Sequence, residues 1–164
     1  MHSKIIQLES HPVDISVRIG PEDYCTDHWF VSSVADYVTH DYSRDDTLET
    51  LVNVLNIENG CVEKFSDERG DGIVLHENCR EAYLRGQYQG FEAALRNLMA
   101  KTTVEAFCED KIGLEMHQLE ESYHTKYGYY IQNDYEGLIT LMDWVRTARP
   151  ETKYYFGGTV DYHF

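Results

Sequence analysis

The stretch from Glu77 to Cys108 constrains the fold more than any other. Leu84, Tyr88, Phe91, Leu95, Leu98 and Met99 recur three or four apart, with Glu92, Arg96 and Lys101 between them. That spacing lines apolar side chains along one side of an α-helix. Asn78 is placed to cap its start, because a short side-chain oxygen there accepts an orphan backbone N–H. A break is expected near Thr102-Thr103. Gly86 and Gly90 sit four apart, with Ala94 one turn on. Each glycine costs about 1 kcal/mol relative to Ala inside a helix. Their shared face is therefore expected to form a smooth groove against another backbone of the same chain.

The other elements follow from shorter patterns. Lys4–Leu8 and Asp14–Ile19 read as strands, the second because Ile15, Val17 and Ile19 alternate with Ser16 and Arg18. His11-Pro12 suits the bend between them. Phe30, Val34, Tyr37 and Val38 have helical spacing with Asp27 as a cap, although Trp29–Val34 also reads as a strand. Arg44–Asn56 is a firmer helix, with Asp45, Asp46 and Glu49 in its first turns and Asn59-Gly60 as its stop. Cys61–Phe65 and Ile73–Leu75 suggest a hairpin around Ser66–Gly72. Lys111-Ile112-Gly113 is a junction before a helix whose Met116, Leu119, Tyr123 and Tyr127 share a face. Tyr127–Gln132 reads as a strand, and Asp134 as the cap of a helix reaching Ala148. Tyr154–Phe156 and Thr159–Phe164 flank Gly157-Gly158 as a closing hairpin. Strands and helices do not alternate regularly, so the expected class is α+β: a short antiparallel sheet packed with about four to five helices. The 164 residues read most simply as one domain, 1–164.

Charge narrows the function. There are 14 basic and 29 acidic residues, a net charge of −15. A direct nucleic-acid binder needs clustered Lys and Arg for phosphate contacts, and an anionic membrane would repel this chain. No apolar run reaches the length of a membrane span, Met1–Ser10 lacks a signal-peptide core, and the four cysteines contain no CxxC pair. A cytoplasmic protein with reduced thiols is expected. Eight of the acids fall between Gly20 and Thr50, against the single base Arg44. Asp23, Asp27, Asp36, Asp41, Asp45, Asp46 and Glu49 are therefore candidates for a negative surface that meets a basic protein partner, with Tyr24, Tyr37 and Tyr42 as contact area. The plainer reading is charge that only keeps the chain soluble.

Candidate chemistry is thinner. His117, Glu121 and His124 would share one helical face, and two imidazoles with a carboxylate suit zinc or non-haem iron. Opposite an apolar face, however, the trio would point to solvent and lack supporting groups. Cys25-x-x-His28 and His76-x-x-Cys79 hold the ligand types of tetrahedral zinc, but the gap between them is far longer than in a zinc finger. His40-Asp41 offers a base with an orienting carboxylate but no obvious nucleophile. No cofactor is expected. Tyr129, Tyr130, Tyr154 and Tyr155 offer a surface for a homodimer. The leading expectation is a small acidic binding protein, such as an inhibitor, immunity or anti-defence factor. The competing one is a small metal-dependent enzyme or ligand-binding domain using its histidines.

Overall fold

The computed structural model describes every residue except Thr26 and Asn59. Seven strands form one mainly antiparallel sheet: β1 (His2–Glu9), β2 (Tyr37–His40), β3 (Val62–Asp67), β4 (Gly70–Leu75), β5 (Tyr130–Asn133), β6 (Gly137–Thr140) and β7 (Lys153–His163). Among the described residues six α-helices accompany it: α1 (Trp29–Ser33), α2 (Arg44–Leu55), α3 (Glu77–Lys101), α4 (Val104–Cys108), α5 (Gly113–His124) and α6 (Leu141–Thr147). The α+β class is as expected. The sheet runs β3-β4-β7-β1-β5-β6, and β2 adds to β7 beside β4. One pairing, β1 with β5, is parallel.

The last strand is the spine. One side of β7 pairs with β1 along most of its length. The other side pairs with β4 over Lys153–Tyr155 and with β2 over Val160–His163. Alternation of side chains then divides the core between the two faces of the sheet. On one face Ile6, Leu8, Ile73 and Ile131 pack against Leu51 and Leu55 of α2, Cys79 and Tyr83 of α3, and Trp144 and Val145 of α6. On the other, Ile5, Tyr130, Val160 and Tyr162 pack against Phe30 of α1 and Tyr24.

Two expectations about the ends of the chain are corrected. Asp14–Ile19 is no strand. Asp14 accepts the Ser16 N–H and starts a single 3-10 turn, Ile15–Val17, whose Ile15 and Val17 stay exposed. No strand among the described residues pairs with this segment; instead the buried side chain of Gln7 holds it. Gln7 Nε2 donates to Val17 O at 3.2 Å, and Oε1 accepts Ile19 N–H at 3.0 Å. The expected closing hairpin is also absent, because β7 runs straight through Gly157-Gly158 as a bulge opposite Gln7. Gly158 N–H donates to the same Gln7 Oε1 at 3.0 Å. The two glycines mark a close approach between backbone segments, not a turn.

Smaller differences have similar local causes. His28, not Asp27, caps α1 through Nδ1, and His76, not Asn78, precedes α3. The helix expected from Asp134 begins only at Leu141, capped by Thr140, because Gly137–Thr140 pairs with β5 as β6. α2 stops at Leu55, with Asn56 as its C-cap; Asn59 of the expected Asn59-Gly60 stop lies outside the described residues. The β3–β4 hairpin forms as expected. Gly72 there is required by proximity, since a Cβ would lie 2.1 Å from the Tyr154 carbonyl oxygen. Tyr130, Tyr154 and Tyr155 are buried in the core. They cannot provide the exposed homodimer surface anticipated for them.

Beyond Leu84, α3 leaves the sheet and packs mainly against α5. This explains why Met99, Phe107, Leu114, Met116 and Tyr123 are all at least half exposed. The inward face expected for Met116 and Tyr123 is not realised. Glu115 turns inward instead and takes Lys101 Nζ at 2.5 Å. The Gly86–Gly90 groove is likewise unfilled: a Cβ on Gly86 would just touch Ile57, and one on Gly90 would meet nothing within 4 Å. Gly90→Ala is therefore expected to stabilise the protein by about 0.5–1 kcal/mol. A raised denaturant midpoint at unchanged slope is the measurement, and an unchanged or lowered midpoint would contradict the open environment. No described helix is long and apolar enough to cross a membrane.

Candidate functional site

The acids between Gly20 and Thr50 are carried by the segments that precede and follow strand β2, on both faces of the sheet. α2 follows β2 on one side of the sheet, while the 3-10 turn Pro21–Asp23 and α1 lie on the other. Pro21–Asp23 also approaches β2 directly. β2 pairs with β7 on one side only, and no described strand pairs with its outer side. Asp36 immediately precedes this short strand, and Asp45 and Asp46 stand in the first turn of the helix after it. Four residues of strand span about 13 Å, which separates Asp36 from the segment leading to α2.

The candidate residues differ in what they offer. Asp45, Asp46, Asp23 and Asp27 are exposed. Asp23 Oδ2 accepts Gly20 N–H at 2.7 Å, and Asp45 stands beside Arg44. Asp36 pairs with His163 Nδ1 at 3.2 Å, and Glu49 pairs with Lys64. Tyr42 is 92% exposed. Tyr37 is half exposed and stacks on the His163 ring, whereas Tyr24 is buried and adds no contact area.

Asp41 stands apart. Its side chain is fully inaccessible, and it accepts Thr47 Oγ1 at 2.6 Å, Lys4 Nζ at 3.0 Å and the Ser43 N–H at 3.0 Å. Burial alone would push its pKa up; those bonds from Thr47, Lys4 and Ser43 overcome burial and hold the carboxyl well below its ordinary value. It is a structural anchor at the end of β2, not part of a contact surface. Its oxygens are taken by Lys4, Ser43 and Thr47, and no hydrogen bond joins it to His40, so the pair does not form a base with an orienting carboxylate.

The sequence-derived metal sets are not assembled. His117 Nε2 lies 3.3 Å from Glu121 on α5. With His124 they line one wall of a cleft of about 330 Å³ that also holds Glu120, Tyr130 and Asp143. The three ligand atoms do not converge to coordination spacing. Cys79 is buried in the core of one face, where burial and the neighbouring Cys61 push its thiol up to about 12. Cys25 is exposed and follows Tyr24 on the other face. His76 is engaged with Glu151 at 3.0 Å and Glu63 at 3.7 Å. The two Cys/His pairs therefore stay apart.

The structure assembles a set that sequence reading missed. Glu9, His11 and Asp134 bring one ligand atom each within 4.8 Å of the others. The parallel pairing of β1 and β5 does this. Gln7 is level with Gln132, so the carboxyl ends of both strands lie side by side. Glu9 is buried, and its carboxylate accepts Asp134 N–H at 3.1 Å. Burial first, and then the Asp134 charge, raise its pKa. His11 was visible only as half of a His-Pro bend. Comparison with known proteins finds no matching family model, no similar curated protein and no similar solved structure.

Proposed function

We propose that this protein acts by binding a basic protein partner, which lays an extended Lys/Arg-rich segment along the outer edge of β2. The observation behind the proposal is an unpaired strand edge, with Asp36 immediately before the strand and Asp45 and Asp46 in the first turn of the helix that follows it. Open strand edges offer unsatisfied backbone groups to an added strand. The carboxylates would steer a cationic segment toward it, and the exposed Tyr42 and Tyr37 would supply contact area. A protein of this kind would serve as an inhibitor, immunity or anti-defence factor by occupying the basic surface of its target.

The test uses a fluorescently labelled, extended Lys/Arg-rich peptide and anisotropy at rising salt. Affinity should fall steeply as ionic strength rises about tenfold and the Debye length contracts. The triple variant Asp36→Lys, Asp45→Lys, Asp46→Lys should bind about tenfold or more weakly at low salt. Salt-independent affinity, or a triple variant that binds as well as the parent, would overturn the reading. A second reading, a small metal-dependent or ligand-binding domain, is supported by the cleft that collects His117, His124, Glu120, Glu121 and Asp143.

A further inference from the structure

We propose that Glu9, His11 and Asp134 form a binding site for a divalent first-row cation at the paired carboxyl ends of β1 and β5. The geometry is that of a half-built coordination sphere. His11 Nδ1 lies 3.2 Å from the Pro12 carbonyl oxygen, which can only accept, so Nδ1 carries the proton. The opposite nitrogen, Nε2, carries a lone pair in the neutral imidazole. It faces Asp134 Oδ2 at 3.3 Å and Glu9 Oε2 at 4.0 Å. A backbone carbonyl that fixes one ring nitrogen while the other faces outward is how proteins orient a ligating histidine.

The carboxylates are similarly prepared. Glu9 is held in place by the Asp134 backbone N–H, which its two oxygens share at 3.1 and 3.2 Å. That donor leaves lone pairs on both oxygens. Asp134 is exposed, and the His11 side chain is 57% exposed, so a cation can enter from solvent. Two carboxylates facing one imidazole lone pair need a positive centre between them, either a proton on Nε2 or a metal ion. A metal at about 2.1 Å from each ligand requires ligand atoms roughly 3–3.5 Å apart. The His11–Asp134 separation already meets that, and the other two separations, both within 4.8 Å, would close by small shifts of the exposed His11 and Asp134 side chains. One nitrogen and two oxygen ligands suit manganese, iron or zinc in the divalent state. Three protein ligands leave positions open to water or a substrate oxygen, unlike a closed structural zinc site.

Placement in the fold adds an independent reason. The β1–β5 pair is the single parallel pairing among the described strands. Only parallel neighbours present two carboxyl ends at the same edge, and in open α/β sheets the loops leaving such ends are where ligands bind. His11 lies in the loop leaving β1, and Asp134 in the loop leaving β5.

The test is calorimetric titration of metal-free protein with manganese chloride and with zinc chloride, repeated for His11→Ala, Asp134→Asn and His117→Ala. An exposed acid elsewhere, Glu105→Gln on α4, controls for diffuse attraction to an acidic protein. One equivalent of cation should bind the parent, Glu105→Gln and His117→Ala alike. His11→Ala and Asp134→Asn should each lose about tenfold or more in affinity. Saturating cation should raise the melting temperature of the parent and not that of His11→Ala. Absence of saturation by about 1 mM cation would overturn the proposal and leave a proton between the three groups. So would binding that survives His11→Ala, or binding lost only in His117→Ala, which would move the cation to the α5 cleft.

Discussion

Replacing Lys4 with Met should lower the stability of this protein by about 3 kcal/mol. Lys4 Nζ sits between two carboxylates, 3.0 Å from Asp41 and 3.3 Å from Asp161. Asp41 has no solvent access through its side chain, so removal of the ammonium strands a buried charge. Breaking a buried pair in this way costs about 3–5 kcal/mol, and the partial exposure of Lys4 argues for the lower end. For a chain of this length the loss corresponds to a melting temperature lower by about 6–12 °C. The pH dependence carries a second signature. The folded-state pKa of Asp41 is depressed, so its stabilising contribution is complete above the unfolded carboxyl value of about 3.9. It is lost as pH falls below that value toward the depressed one. Acid unfolding of the parent should therefore steepen below pH of about 4, and that of Lys4→Met should be shallower. Parallel acid-unfolding curves for the two proteins would refute the role assigned to the pair.

Gly158→Ala should be nearly as damaging, for a reason unrelated to charge. A Cβ at this position would lie 2.2 Å from the Ile19 carbonyl oxygen and 2.8 Å from its nitrogen. Both are backbone atoms, so no side-chain rotation relieves the overlap. The segment Val17–Ile19 must be displaced, and with it the bonds from Gln7 to Val17, Ile19 and Gly158. Overpacking together with a buried amide left unsatisfied is expected to cost about 2–4 kcal/mol. The loss should be local at first. Trypsin should cleave after Arg18 readily in the variant and slowly in the parent. Equal cleavage rates and equal denaturation midpoints would show that the segment is not held as described.

These two positions also show where sequence reading succeeds and where it stops. The helices α2, α3 and α5 were legible because residues such as Leu48, Leu51, Val52 and Leu55 repeat with a period that the backbone itself imposes. The break at Thr102-Thr103 and the β3–β4 hairpin were legible for the same local reason. Gly157-Gly158 was misread because adjacent glycines mean a turn when only neighbours in sequence are considered. Their real reason is Gln7, about 150 residues away along the chain. Asp14–Ile19 was misread because alternation describes a strand only if another strand is there to pair. Of the candidate surface, the excess of acids between Gly20 and Thr50 was visible in composition, but the inward turn of Asp41 was not, since its partner Lys4 lies on β1, distant in sequence. Glu9 and Asp134 are distant in sequence, and nothing short of the β1–β5 register brings them together.

The central position of β7 has a consequence for how the polypeptide is made. The sheet is held through β7, which pairs with β1, β2 and β4, yet β7 occupies positions 153–163. During translation β1 emerges long before the principal strand it joins. Helical segments such as α3 can coil as they leave the ribosome, whereas the edge of β1 that β7 will join stays unpaired. Nascent chains stalled before Lys153 should therefore be bound by chaperones and sensitive to proteases, and acquire their native architecture only when synthesis passes His163.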